Sequence, residues 1–175
     1  MNSPFAELQP GVQPLGKVRD YLNEFIHAVQ AGRLLEGINR REILLFGDYL
    51  ECFGVPRCSS VLREGEEGDY LVILITGGAV ITQLHEGLDK VIYVVKPGDI
   101  VGEMSMFDGQ KRFASCVTTL PSDFAVLTHD KFMALLSDHP RLSNKIMLAL
   151  LHTTTSKLRH ATNDKLPGLA DVGFL

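Results

Sequence analysis

From about Cys58 to His129 the chain breaks into short runs of β-branched and aromatic residues separated by turn residues, a rhythm of about eight to twelve residues. That rhythm limits the fold more than any other feature. Tyr70 to Ile75, Ala79 to Leu84, Val91 to Val95, Ala114 to Thr119 and Phe124 to Thr128 read as strands. Gly65 to Asp69, Gly77-Gly78, Glu86 to Asp89, Pro97-Gly98-Asp99 and Pro121-Ser122-Asp123 read as the turns between them. Short strands joined this way close most readily into an antiparallel double sheet. The expected fold is therefore mainly β with flanking helices: a jelly roll (double-stranded β-helix) over residues 57–129.

Helical periodicity flanks this region on both sides. Residues 1–16 hold Pro4, Pro10 and Pro14 without periodicity and read as a mobile leader. Within 17–56, Val18, Tyr21, Leu22, Phe25 and Val29 repeat at helical spacing as far as about Gly32. A second helix begins at Asn39, whose side chain and Glu42 have the spacing of a capping box. Past His129, two helices are expected over 130–165, one from Lys131 to Leu136 and a long one from Pro140 to about Lys165, with 166–175 as a tail. Ile146 to Leu151 is apolar all round, so one side of that helix packs on the β-core and the other calls for a cover, read as a second copy of the chain, with a place between the β-core and the N-terminal helices as the alternative.

One stretch is too long for its place. Lys96 to Cys116 falls between two expected strands, where a hairpin needs only about two to five residues. Within it, 98–115 has the contents of a phosphate-binding cassette. Gly102-Glu103 opens a short helical stretch from Met104 to Phe107, through Ser105, whose free N–H groups favour an anion. Glu103 can accept a hydrogen bond from a hydroxyl. Nine residues on, Arg112 offers the planar fork of donors that suits a phosphate. Phe113, Ala114 and Ser115 add backbone N–H donors as the chain enters the next strand.

In the order in which they occur, these segments resemble the cyclic-nucleotide-binding domain shared by bacterial catabolite activator proteins, protein kinase regulatory subunits and cyclic-nucleotide-gated channels. V-L-R-E-G-E-E-G-D from Val61 to Asp69 is similar to the family's glycine-rich turn. L-V-I-L-I-T-G-G-A-V-I from Leu71 to Ile81 is similar to its strand, glycine corner and strand. G-D-I-V-G-E-M-S-M-F from Gly98 to Phe107, followed by R-F-A-S from Arg112 to Ser115, is similar to its cassette. The resemblance implies an eight-stranded jelly roll, with a ligand phosphate on Arg112, the ribose 2'-hydroxyl on Glu103 and the backbone of Gly102 close to the sugar. It also implies a long helix that closes over the base. Aligning that helix on Leu158 or on Leu166 gives different base contacts, Ala161 and Thr162 or Thr162 and Asn163, and Thr162 is common to both. Phe113 stands where relatives commonly carry Ser, Thr or Ala.

Other classes fit less well. A formal net charge of -4 does not suit a surface that grips nucleic-acid phosphates. Transcription factors of the family add a winged helix-turn-helix, and no DNA-reading element is expected in a chain ending at Leu175. Three scattered cysteines and six scattered histidines suggest neither a disulfide framework nor a metal site. No apolar run reaches the roughly 20 residues that span a bilayer, so a cytoplasmic protein without membrane contact is expected. The expected function is a sensor, not an enzyme: no catalytic residue and no cofactor are assigned, cAMP is the ligand ahead of cGMP, and the bound state is signalled by repositioning the long helix. The expected partners are a second copy through that helix and a downstream protein. The alternative is a ligand-independent jelly-roll interaction module that retains the cassette.

Overall fold

Strand β4, Tyr70–Thr76 in the element order below, is buried on both faces and divides the interior in two. Because side chains alternate along a strand, Leu71, Ile73 and Ile75 join one apolar cluster and Tyr70, Val72 and Leu74 join another. The first cluster lies between a sheet and the helices, with Phe25, Phe46, Phe132, Leu135, Ile146 and Leu150. The second fills the space between the two sheets, with Phe53, Leu62, Val95, Cys116 and Phe124. Burial on both sides explains why this segment reads as an unbroken apolar run and not as an alternation.

The computed structural model describes residues 11–31 and 37–164, and their side chains apart from those of 31 and 160–164. The described elements are β1 (Gln13–Lys17), a 3-10 turn (Val18–Tyr21), α1 (Leu22–Ala31), α2 (Arg40–Gly47), β2 (Glu51–Val55), β3 (Ser60–Leu62), β4, β5 (Ala79–His85), β6 (Leu88–Val95) and β7 (Ile100–Val101). They continue with α3 (Glu103–Asp108), β8 (Ser115–Thr118), β9 (Ser122–Thr128), α4 (His129–Asp138) and α5 (Pro140–Asp164). Two antiparallel sheets result, in the orders β1-β2-β9-β4-β7 and β3-β8-β5-β6. This is the expected jelly roll with flanking helices.

Two strands lie outside the region read as strands. Gln13–Lys17, at the edge of the region read as a leader, pairs with β2, and β2 itself lies in the region read as helical. Pro14 and Gly16 hide β1 from a propensity reading. Both suit an edge strand, where Pro needs no ladder partner, and the register shifts between them. Residues 1–10 and 165–175, with most of the expected leader and all of the expected tail, lie outside the described residues.

The helices are anchored by polar contacts at their ends. Asn39 and Glu42 form the reciprocal capping box at 3.0 Å in each direction. Glu42 also takes a hydrogen bond from Lys145 Nζ at 2.8 Å, which ties α5 to α2. That bond and the Asn39 N–H hold the Glu42 carboxyl below its ordinary pKa. At the corner between α4 and α5, the buried Ser143 hydroxyl donates to Leu135 O, and Tyr49 OH donates to Asp138 at 2.7 Å.

Candidate functional site

The cassette leaves β7 at Val101 and re-enters the sheet at β8, so both its ends are fixed by the roll. Ile73 pairs with Ile100 and Val72 with Val101, which sets Gly102 beside the start of β4. Gly102 turns the chain with a φ of +87°, left-handed backbone that favours glycine. A Cβ there would lie 2.7 Å from Arg112 Nη1 and 3.2 Å from Tyr70 O, so its missing side chain is also a requirement of space. The cassette helix α3 follows at once. It is held from below by Met106 in the helix-side core and by an edge-on contact between Phe107 and Phe132 of α4, with centroids 5.3 Å apart.

Arg112 closes the cassette. Its N–H donates to Glu66 O at 2.8 Å and its carbonyl accepts from Gly65 N at 2.9 Å, which pairs it with the glycine-rich turn before β4. The side chain turns inward and is 4% exposed. Nη1 donates to Gly102 O at 2.8 Å and Nη2 to Tyr70 O at 2.7 Å. The guanidinium carbon lies 4.6 Å from the centre of the Tyr70 ring, a cation-π contact. A Cβ on Gly68 would collide with the guanidinium.

The electrostatics follow from this burial. Burial pulls Arg112 down from its ordinary pKa, opposed by Tyr70, Asp69 and Glu103, yet an arginine remains protonated. Tyr70 is pushed up to about 12, by burial first and against the influence of Arg112, and its hydroxyl donates to Val61 O. Among the described residues no carboxylate stands within ion-pair distance of Arg112. Its charge is met by two carbonyl oxygens and a ring face. A buried cation without a counter-charge is costly, and an anion brought to it gains accordingly.

Glu103 is 3% exposed and sits one residue past the glycine that Arg112 touches. Its Oε1 accepts a hydrogen bond from Lys157 Nζ of α5 at 2.9 Å, and the same ammonium donates to Ile100 O at 2.7 Å. Glu103 is thus held by a cation from the long helix.

The other expected site residues fall into four groups. Ser105 is buried, and its carbonyl accepts from Gly109 N at the end of α3. Met104 and Phe113 are exposed, Phe113 at 59%. Ala114 and Ser115 are half-buried, and the Ser115 hydroxyl accepts from Glu64 N at 3.0 Å, so it steadies the glycine-rich turn. The side chain of Thr162 lies outside the described residues. Sequence reasoning missed Gly68, Tyr70 and Lys157. Gly68 carried a signal as one of the glycines of its turn, whereas Tyr70 read as an ordinary strand residue. Lys157 lay in a segment searched only for hydroxyl groups. Among the described residues there is no group of three or more His, Cys, Asp or Glu placed to hold a metal ion, and no helix long and apolar enough to cross a membrane.

Comparison with known proteins agrees with this fold. Residues 55–139 match the family model described as "Cyclic nucleotide-binding domain". The crystal structure of a cyclic nucleotide-binding domain from Methylobacillus flagellatus KT superposes with a TM-score of 0.86 at 34% identity, covering 100% of this chain and 99% of that one. The Thermus thermophilus catabolite activator protein superposes with a TM-score of 0.66 at 26% identity, over 75% of this chain and 60% of that one. The CRP-like cAMP-activated global transcriptional regulator of Mycobacterium tuberculosis is 28% identical over 142 residues, which are 81% of this chain and 60% of the regulator. The chain therefore spans about 60% of the length of that curated relative.

Proposed function

The chain belongs to the cyclic nucleotide-binding domain family, and from that premise we propose that it is a cAMP sensor in which Arg112 binds the cyclic phosphate and Glu103 the ribose 2'-hydroxyl. One observation carries the reading: a buried arginine with no ion-pair partner among the described residues, beside a buried glutamate, in a cassette built by β7, α3 and β8. The arginine supplies a charge with no counter-ion among the described residues, and the glutamate supplies an acceptor for a neutral hydroxyl. Together they suit a ligand with one negative charge next to a sugar hydroxyl. The name of the Mycobacterium tuberculosis relative supports cAMP, with cGMP as the second candidate.

Signal output follows a mechanical route. α3 touches α4 through Phe107 and Phe132, and α5 reaches Glu103 through Lys157. Ligand that binds better to one placement of α5 biases the helix toward that placement. Leu148 and Leu151, exposed on α5, support self-association through this helix, and the net charge of -4 supports an output through protein contacts. The proposed setting is cytoplasmic, and the proposed role is regulatory and not catalytic. Met104, Ser105, Phe113, Ala114, Ser115 and Thr162 remain proposed ligand contacts.

A second reading is favoured by one observation: Arg112 and Glu103 already have protein partners, as they would in a ligand-independent interaction module. Titration calorimetry with cAMP, cGMP and cyclic di-GMP separates the two. The sensor reading expects heat with cAMP and a loss of about 2 to 5 kcal/mol on Arg112→Ala. Absence of heat with all three ligands would sink it.

A further inference from the structure

Only one oxygen of the Glu103 carboxylate is taken. Oε1 accepts from Lys157 Nζ at 2.9 Å, and among the described residues no hydrogen bond is made to Oε2. The side chain is nevertheless only 4% exposed, so water has little access to the second oxygen. A buried acceptor is costly to leave without a donor. The lysine is itself fixed, because the same ammonium donates to Ile100 O at 2.7 Å and Ile100 pairs with Ile73 of β4. Its place is therefore set by the roll as well as by the carboxylate. Arg112 attracts Glu103 through space but makes no ion pair with it. Lys157 meets the charge of Glu103, which leaves that of Arg112 for another anion.

We propose that Lys157 is a positioning residue for sugar recognition: it holds Glu103 by Oε1 so that Oε2 is presented to the ligand's 2'-hydroxyl, and selectivity for ribose over deoxyribose depends on it. This rests on the reading of Glu103 as the ribose acceptor. The sugar and the long helix then share one carboxylate, an oxygen each. The placement of α5 that brings Lys157 to Glu103 is also the one that aims the acceptor. Without this partner the carboxylate is free to turn, and a hydroxyl gains less from a group that must first be ordered.

The test is calorimetry of the full chain with cAMP and with 2'-deoxy-cAMP, in wild type, Lys157→Met and Lys157→Arg. A hydroxyl that donates to a charged acceptor is worth on the order of ten- to a hundredfold in affinity, so wild type should prefer cAMP by about that factor. Lys157→Met should cut the preference to about threefold or less by weakening cAMP, with 2'-deoxy-cAMP binding within about threefold of wild type. Lys157→Arg, which keeps a cation for Glu103, should retain most of the preference. If Lys157→Met keeps the wild-type preference, whether by weakening both ligands alike or by weakening neither, the positioning role is overturned and the sensor stands. A wild type that binds cAMP and 2'-deoxy-cAMP equally would instead refute the reading of Glu103, and with it the proposal. A wild type that binds neither would refute the sensor itself.

Discussion

The guanidinium of Arg112 fills the space that a side chain on Gly68 would need. The glycine-rich turn is thus cut to the shape of the arginine: Gly65 and Glu66 hold its backbone, and Gly68 leaves room for its head. A methyl group on Gly68 should force the guanidinium off Tyr70 O and the Tyr70 ring. Gly68→Ala is expected to lose about 1 to 3 kcal/mol of stability through overpacking and to weaken cAMP binding in the same variant. Denaturant melts and calorimetry check this. Wild-type values in both would mean that the turn yields freely.

The Tyr70 side chain makes two contacts that substitution can separate, its ring on Arg112 and its hydroxyl on Val61 O. Tyr70→Phe keeps the ring face and removes the hydroxyl that donates to Val61 O. It should cost about 1 kcal/mol of stability and leave cAMP affinity within about threefold of wild type. Tyr70→Leu removes the ring face and should weaken cAMP binding clearly more than Tyr70→Phe does. Equal affinities in the two variants would remove the ring from the account.

How the sequence related to these contacts is clearest residue by residue. The alternating strands, the Asn39 to Glu42 capping box and the proximity of Gly102, Glu103 and Arg112 all follow from spacing within short windows, where local rules apply. β1 escaped because Pro14 and Gly16 are poor strand formers that an edge tolerates. The Lys157 to Glu103 pair spans 54 residues and depends on where α5 comes to rest, which no local pattern encodes. Arg112 was visible as a phosphate-binding residue type, but not its stacking on Tyr70, because that required knowing which face of β4 looks into the roll.

Alkaline pH should destabilise the fold. Burial pushes Cys52 and Cys116 up to about 12 from 9.0, and Tyr70 up to about 12 from 10.0. As pH rises past 9 the unfolded chain gives up these protons first, so the native state binds more of them and stability falls until about pH 12. Below the unfolded values these groups contribute no slope. Thermal melts at pH 8, 9, 10 and 11 should show a falling Tm, with a shallower fall in Cys116→Ala. A flat Tm to pH 11 would contradict the burial of these groups.

The two leucines at the middle of α5 should behave as opposites. Leu150 is buried against the helix-side core and Leu151 is 62% exposed. Leu150→Ala should cost about 2 to 5 kcal/mol of stability. Changing Leu148 and Leu151 together to Glu should leave the fold's stability nearly unchanged and shift sedimentation to that of a monomer. A dimer that persists in the double variant would place self-association on another face.

The two ends of the burial range on this roll have unequal freedom to vary. β4 has no face to spare, since each position answers either to the helix packing or to the space beneath the cassette. β6, by contrast, is exposed from Leu88 to Val94. Substitutions on β6 from Leu88 to Val94 can therefore accumulate at little cost to the fold, and a new contact surface can arise there away from the Arg112 cassette. A chain built this way can change whom it addresses far more readily than what it detects.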